Sequence, residues 1–324
     1  MIIAEIGSVH DGKLNLALKL IRKSISSGAD AVKFQMHISE EETLRNAPSP
    51  SYFNKENRYD YFKRTSFNFN QWKKIKKYCE SLGAEFLCSP FSEKAVDILQ
   101  KLKVKKYKVP SGELTNLPLL RKLKSTKKHI ILSTGMSNWK EIDVAVKIIG
   151  KNFSLLQCTS EYPCSHKRVG LNILSEMKKK YKCQIGFSDH TLGFAASFAA
   201  ASIGATLIEK HFTLSRNMYG SDAKNSMEPD EFSFFSKTIK DIWEIKKFKV
   251  DKDNLSKLKN MKKIFEKSVI LNRDMKKNEK IKLKDLSFKK PGDGIRAFEY
   301  KKILGKKLVS NKKKSYKLKF KDLK

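Results

Sequence analysis

The chain has 324 residues, 40% of them hydrophobic and 31% charged, with a formal net charge of +34. These proportions are those of a globular protein long enough for one large α/β barrel and a small second domain. No apolar run reaches the length needed to cross a bilayer. Met1-Ile-Ile-Ala-Glu opens in a strand-like run without a basic leader, so a cytoplasmic protein with no membrane partner is expected.

Five cysteines (Cys79, Cys88, Cys158, Cys164 and Cys183) form an odd set with no Cys-x-x-Cys pair. That argues against a disulfide framework or a zinc cluster and for reduced thiols. Of the 68 basic residues 59 are lysine, whereas base readout favours arginine, and no nucleic-acid motif with interleaved aromatics is present. Clusters such as Lys73, Lys74, Lys76 and Lys77, or Lys178 to Lys180, read as solvated helix faces, so no nucleic-acid partner is expected. The positive field would also gather an anionic substrate.

In chain order, short apolar runs predict strands at residues 2–6, 31–35, 84–88, 106–109, 129–132, 154–158, 183–187 and 206–209. Helical patterns lie between them, at 14–26, 70–81, 93–102, 117–124 and 140–149. Eight alternating units of this size predict a (β/α)8 TIM barrel. An open doubly wound sheet is the alternative, but no Gly-x-Gly-x-x-Gly follows the first strand. The connection from His37 to Thr65, with Pro48, Pro50, Arg58-Tyr-Asp-Tyr-Phe and Arg64, is long enough to be functional, and its aromatic content favours an ordered lid.

A polar helical stretch near residues 230–248 closes the barrel. From Ser268 the pattern changes to short strands and turns, including Val269-Ile-Leu, Ile281, Leu286-Ser-Phe and Lys290-Pro-Gly-Asp-Gly. The expected organisation is a barrel over 1–248, a linker over 249–265 and a small β-rich domain over 266–324.

Two histidines carry most of the functional signal. His190, in Gly186-Phe-Ser-Asp-His-Thr-Leu, and His211, in Leu207-Ile-Glu-Lys-His-Phe, each sit just past a buried strand run. Neutral imidazoles at the carboxyl ends of neighbouring strands can hold one divalent metal, although either alone reads more readily as a core histidine. Catalytic groups of such barrels stand at these strand ends. Read in order, the ends give Glu5; Lys33 and Gln35; Ser89; Lys108, Ser111 and Glu113; Ser133 and Thr134; Thr159, Ser160 and Tyr162; Ser188, Asp189 and His190; then Glu209 and His211. Lysines and hydroxyls converging near Ser111-Gly112 and Ser133-Thr-Gly135 suit a phosphate or phosphate-plus-carboxylate anion. Lys33 and Lys108 also read as buried partners of Glu5 or Glu113. A metal on two histidines keeps open positions for a substrate oxygen or water. His10, in the first loop, is a rim residue or a structural one.

Several of these segments resemble one family. Ala4-Glu-Ile-Gly, Val32-Lys-Phe-Gln, Ser89-Pro-Phe, Lys108-Val-Pro-Ser-Gly-Glu, Ile131-Leu-Ser-Thr-Gly-Met, Cys158-Thr-Ser-Glu-Tyr-Pro, Phe187-Ser-Asp-His-Thr-Leu-Gly, Ile208-Glu-Lys-His-Phe and Ser226-Met-Glu-Pro look like the sialic acid synthase family, which includes legionaminate and pseudaminate synthases. The tail, with Arg273-Asp-Met-Lys-Lys-Asn-Glu and Phe288-Lys-Lys-Pro-Gly-Asp-Gly, resembles its antifreeze-like (SAF) domain.

The resemblance implies condensation of phosphoenolpyruvate with an N-acylated hexosamine aldehyde, giving a nonulosonic acid and phosphate, with a divalent metal, typically Mn²⁺. It implies metal ligation by His190 and His211. Phosphoenolpyruvate would be held by Lys33, Ser89, Lys108, Ser111, Ser133, Ser160 and Ser188. Glu5, Gln35, Tyr162 and Asp222 would face the sugar and water, with Glu113 near the reacting carbons and Glu5 or Glu113 moving protons. A domain-swapped homodimer is implied as well. The chain departs from the family pattern at Val9 and Asp11, which flank His10 where Asn is usual. Lys290 replaces a tail-domain arginine that reaches the neighbouring subunit's sugar site, losing bidentate geometry.

N-acetylmannosamine is the expected sugar, with the 2,4-diacetamido-6-deoxymannose of legionaminate as the alternative. Another metal-assisted barrel lyase or hydrolase remains a second reading, and a basic non-catalytic binding protein a third.

Overall fold

A computed structural model describes residues 1–49, 56–220 and 222–324; Pro50, named above, lies outside them. The chain divides into two compact units, Met1–Phe248 and Lys249–Lys324.

The first unit contains eight parallel strands: β1 (Ile2–Gly7), β2 (Ala31–Met36), β3 (Glu85–Pro90), β4 (Lys106–Val109), β5 (His129–Ser133), β6 (Phe153–Cys158), β7 (Gln184–Asp189) and β8 (Leu207–His211). They hydrogen-bond in the order β3-β2-β1-β8-β7-β6-β5-β4, and β3 and β4 lie side by side, so the sheet is a nearly closed TIM-type barrel. Helices of the unit are α1 (Leu14–Ser26), α2 (Ser39–Glu42), α3 (Arg58–Thr65), α4 (Phe69–Ser81), α5 (Glu93–Lys101), α6 (Leu117–Ser125), α7 (Trp139–Ile149), α8 (Asn172–Tyr181), α9 (Ala195–Ile203) and α10 (Pro229–Lys247). Local chemistry sets their starts. Asn68 and Asn138 cap α4 and α7 in reciprocal capping boxes with Gln71 and Glu141, satisfying backbone donors that would otherwise be orphaned. The long connection after β2 forms α2 and α3 among its described residues.

The side-chain period of two along each strand builds the barrel interior in layers. Ile3, Ala31, Leu87, Ile131, Leu156 and Leu207 form one apolar plug. Two residues further on, the same strands present Glu5, Lys33, Ser89, Ser133, Cys158 and Glu209, all buried. The opposite faces, such as Ile2, Val32, Phe86 and Ile130, pack under the helices in the main core. The switch from apolar plug to charged layer inside six strands at one level is what makes a site rather than a filled barrel.

The second unit pairs β9 (Ser268–Leu271) antiparallel with β10 (Leu286–Lys289) around Val269, Leu271, Met275, Ile281, Ile295, Leu308 and Leu318. The stretch expected as a linker carries helix α11 (Lys259–Phe265), with Leu258, Met261 and Phe265 at helical spacing. The Lys263 carbonyl accepts from the Gly292 N–H at 2.7 Å. That bond ties the helix to the turn after β10.

Candidate active site

The strand ends of the barrel surround one cavity of about 500 Å³. Its walls include Glu5, Lys33, Gln35, Lys108, Ser111 and Glu113 from the first four strands. Ser133, Ser160, Tyr162, Ser188, His190, His211 and Asp222 come from the rest. Two expected site residues stand apart. Ser89 is fully buried at the end of β3, without a hydrogen-bond partner for its hydroxyl among the described residues, and does not line the cavity. Lys290 belongs to the second unit, where its ammonium lies 5.0 Å from the Phe265 ring centroid.

A buried charge cluster forms the floor. Lys33 Nζ is 3.2 Å from Glu5 Oε2 and 3.3 Å from Glu209 Oε1. Lys108 Nζ donates to Ser133 Oγ at 2.7 Å and lies 3.4 Å from Glu209 Oε2, while the Ser188 hydroxyl donates to Glu209 Oε1 at 3.1 Å. Glu209 is thus the shared partner of both lysines, a role the sequence reading had not given it. The signal was there: Glu209 precedes His211 by two in one strand, so both side chains face inward.

Burial opposes charge on every member of the cluster; the partners outweigh it at Glu209 and Lys33, and burial prevails at Lys108 and Glu5. Burial would raise the Glu209 carboxyl, but Lys108 and Lys33 hold it below the usual carboxylate range. Burial would lower Lys33, but Glu209 and Glu5 raise it above its ordinary value. Lys108 shares Glu209 and is lowered, mainly by burial. Glu5 is raised to about 7 by burial, with Lys33 opposing. Near neutrality it can therefore give or take a proton. Burial also raises Glu113, which accepts from Asn116 Nδ2 at 2.8 Å.

The anion-binding side depends on close approach. The Ser111 hydroxyl accepts from the Gly135 N–H at 3.1 Å. A Cβ on Gly135 would stand 2.5 Å from Ser160 Oγ and 2.8 Å from Ser111 Oγ, so only glycine lets the two hydroxyls converge. Gly7, at φ +53°, likewise leaves room for the Asp222 carboxylate beside Glu5.

The two histidines face each other across the mouth, with ring centroids 5.7 Å apart. His190 Nδ1 is 2.8 Å from the Thr159 carbonyl oxygen, which needs an N–H there, so the Nε2 lone pair points inward, 3.2 Å from the Tyr162 hydroxyl. Burial works against the imidazolium of His190, but the Cys158 thiol, 3.8 Å from Nδ1, and the Thr159 carbonyl favour it and leave the net shift upward. Burial lowers His211 to about 4, so its imidazole is neutral. His211 Nδ1 is buried with no hydrogen-bond partner among the described residues. A neutral, under-satisfied imidazole beside a second one of fixed tautomer is the donor chemistry that a divalent cation would take. No group of three or more His, Cys, Asp or Glu side chains suited to a metal occurs among the described residues.

His10 is not on the cavity wall. It is buried against Phe67 at 4.5 Å and accepts from the Gly12 N–H at 3.1 Å, the structural of its two readings. Its neighbour Val9 packs into the core, and Asp11 pairs with Arg64 at 2.7 Å. His37, Phe62 and Phe91 line the rim; sequence reasoning gives the first two only a place in the lid segment and Phe91 only one in the Ser89-Pro-Phe motif. Arg58 joins them there, 5.6 Å from the Phe62 ring centroid.

Sequence comparison places this geometry. The NeuB family pattern matches residues 20–253, most of the chain. The chain belongs to the NeuB family. A SAF domain pattern follows over residues 266–315. Among NeuB relatives, the N,N'-diacetyllegionaminic acid synthase of Campylobacter jejuni is 38% identical, over 97% of this chain and 97% of its own. That of Legionella pneumophila is 34% identical, over 96% and 90%. The crystal structure of N-acetylneuraminic acid (sialic acid) synthetase from Leptospira borgpetersenii, in complex with citrate, superposes with a TM-score of 0.70 at 29% identity, covering 80% of this chain and 90% of that one. This NeuB family member is accordingly an enzyme of the nonulosonic acid synthase group. No helix among its described residues is long and apolar enough to cross a membrane.

Proposed function

We propose that this enzyme condenses phosphoenolpyruvate with an N-acylated hexosamine aldehyde and water, releasing phosphate and a nonulosonic acid. The observation that carries the proposal is the single cavity with Lys33 and Lys108 on its floor and His190 and His211 at its mouth. In this reading the lysines meet the phosphate and carboxylate of phosphoenolpyruvate, and Ser111, Ser133, Ser160 and Ser188 supply hydroxyl donors.

Gln35, Tyr162 and Asp222 orient the sugar over the enolpyruvate. C3 of the enolpyruvate bonds to the aldehyde carbon, whose oxygen takes up a proton. Water adds at C2 with loss of a proton, and the C2–O bond to phosphate breaks. Glu5, which titrates near 7, is suited to one of these transfers and Glu113 to the other. A divalent cation, Mn²⁺ in this proposal, would sit on His190 and His211 and supply Lewis acidity toward the aldehyde oxygen.

Of the two sugars, the 2,4-diacetamido-6-deoxyhexose is favoured, because two legionaminic acid synthases match along both units of the chain. Lys290 would approach a partner's site in a swapped homodimer.

The test is phosphate release from phosphoenolpyruvate with a panel of acylated hexosamines, with and without Mn²⁺. Release with the diacetamido sugar supports the proposal in full. Release with N-acetylmannosamine alone moves the sugar assignment, and no release with any of them rejects the condensation.

A further inference from the structure

His37 takes no part in the chemistry proposed above, yet it touches a residue that does. It follows β2 directly and is buried, its ring between those of Phe62 and Phe91 at centroid distances of 3.6 and 4.0 Å. Both stacks are nearly parallel, with interplanar angles of 15° and 26°. The two phenyl faces hold the imidazole in its plane, so its nitrogens point in fixed directions.

Nδ1 lies 2.6 Å from Glu42 Oε1, and Nε2 lies 3.0 Å from Gln35 Oε1. Glu42 is anchored in turn, its second oxygen accepting from the Ile38 N–H at 3.3 Å. Gln35 carries the contact onward, donating from Nε2 to Glu5 Oε1 at 2.6 Å.

Counting protons gives the relay a direction. When ionised, the Glu5 carboxylate accepts only, so the NH₂ end of the Gln35 amide faces it and the carbonyl end faces His37. That carbonyl also accepts only, so His37 Nε2 carries a hydrogen. The short contact to Glu42 keeps another proton between Nδ1 and the carboxylate. Without the Nε2–H only the hydrogen bond to Glu5 holds the Gln35 amide against a turn that would set its oxygen toward that carboxylate.

We propose that His37 is a positioning residue, whose Nε2–H fixes the end of the Gln35 amide presented to Glu5 and so holds the Glu5 carboxylate in place at the cavity floor. The proposal rests on the synthase reading, in which Glu5 moves a proton and Gln35 faces the sugar. His37 stands on the cavity rim and in this proposal acts through Gln35. A purely structural His37 would instead fill the slot between the two phenyl rings, and substitutions separate the two roles. His37→Phe keeps an aromatic ring in the slot and removes the donor. His37→Gln returns an NH₂ near the position of Nε2.

The experiment measures steady-state phosphate release with the accepted sugar for the full chain, His37→Phe, His37→Gln, Gln35→Ala and the His37→Phe/Gln35→Ala double variant. His37→Phe should lower kcat/KM for the sugar about five- to tenfold, the range of one neutral hydrogen bond, with KM for phosphoenolpyruvate changed less than about twofold. His37→Gln should recover most of the loss. In the Gln35→Ala background His37→Phe should cost nothing further, since the two act in series. An equal cost in both backgrounds, or an unimpaired His37→Phe, overturns the proposal. Should His37→Phe not fold, His37→Leu serves in the same comparison.

A second readout needs no turnover. The side-chain ¹⁵N–¹H signals of Gln35, assigned by their loss in Gln35→Ala, should shift in His37→Phe and return in His37→Gln. If the parent enzyme turns over no sugar, the synthase reading fails. The Gln35 signals still decide the relay, and unshifted signals overturn it.

Discussion

His10 and His211 are both buried at the mouth of the same barrel, and burial keeps both neutral, at about 3 and about 4. What their nitrogens meet is different. In the first loop His10 accepts from the Gly12 N–H and packs at a tilt against Phe67 and Phe34, so it serves the local fold. At the end of β8, His211 Nδ1 has no hydrogen-bond partner among the described residues, and the ring faces His190 across the cavity. Native interiors seldom leave a buried polar atom without a partner unless the site has a use for it. Burial alone would have called both histidines core. The unsatisfied nitrogen separates packing from a site.

The largest test of this contrast is alanine at the mouth. His211→Ala and His190→Ala should each lower Mn²⁺-dependent phosphate release about a thousandfold, or about 4 kcal/mol of transition-state stabilisation. The fold should persist by circular dichroism. Retained turnover would break the distinction from His10, since His10→Asn should keep its rate within a few-fold.

Next is the floor beneath the histidines. Glu209→Gln removes the carboxylate shared by two buried ammonium groups and should destabilise the barrel by about 3 kcal/mol in chemical denaturation. A variant as stable as the parent would mean that Glu5 and Ser133 suffice for the lysines.

Metal linkage gives a slightly smaller effect. Mn²⁺ at about 100 times its Kd should stabilise the parent by about 2.7 kcal/mol, and EDTA should reverse the shift. His211→Ala should show no shift, and His10→Asn the full one.

The smallest effect is in acid. The folded pKa of His10, about 3, lies below its unfolded value of 6.5, so the unfolded chain binds the extra proton between them. Stability from His10 is therefore complete above pH 6.5 and falls as pH drops toward 3, by up to about 1.4 kcal/mol per pH unit. In His10→Asn that term is absent. The stability gap between parent and variant should narrow by about 2 kcal/mol from pH 7.5 to 5 in urea titrations. A constant gap would show that His10 is not held neutral by the fold.

Much of the fold was legible. Each of the eight strands lies within two residues of its sequence prediction at either end, because parallel barrel strands are buried on both faces and stand out as apolar runs between amphipathic helices. The polar strand ends were legible for the same reason, since a period of two carries Ile3 to Glu5 and Leu207 to Glu209 on one face. Less legible were α11, read as linker because its apolar residues are few and exposed, and the wall formed by His37, Phe62 and Phe91. The stack joins residues 25 to 54 positions apart through the ends of β2 and β3, and no local pattern signals such a contact.

By itself the sequence determined the barrel, the β-rich tail, the histidine pair and the inward-facing lysines, because periodicity and residue chemistry are local properties. Only the tertiary structure decided who meets whom. Closure of β1 onto β8 sets Glu5 opposite His211, and Glu209 falls between Lys33 and Lys108. The same packing gives His10 a partner and leaves His211 Nδ1 without one. Those pairings join residues up to about 200 positions apart. Their geometry is fixed by sheet register and barrel closure, which no single segment encodes.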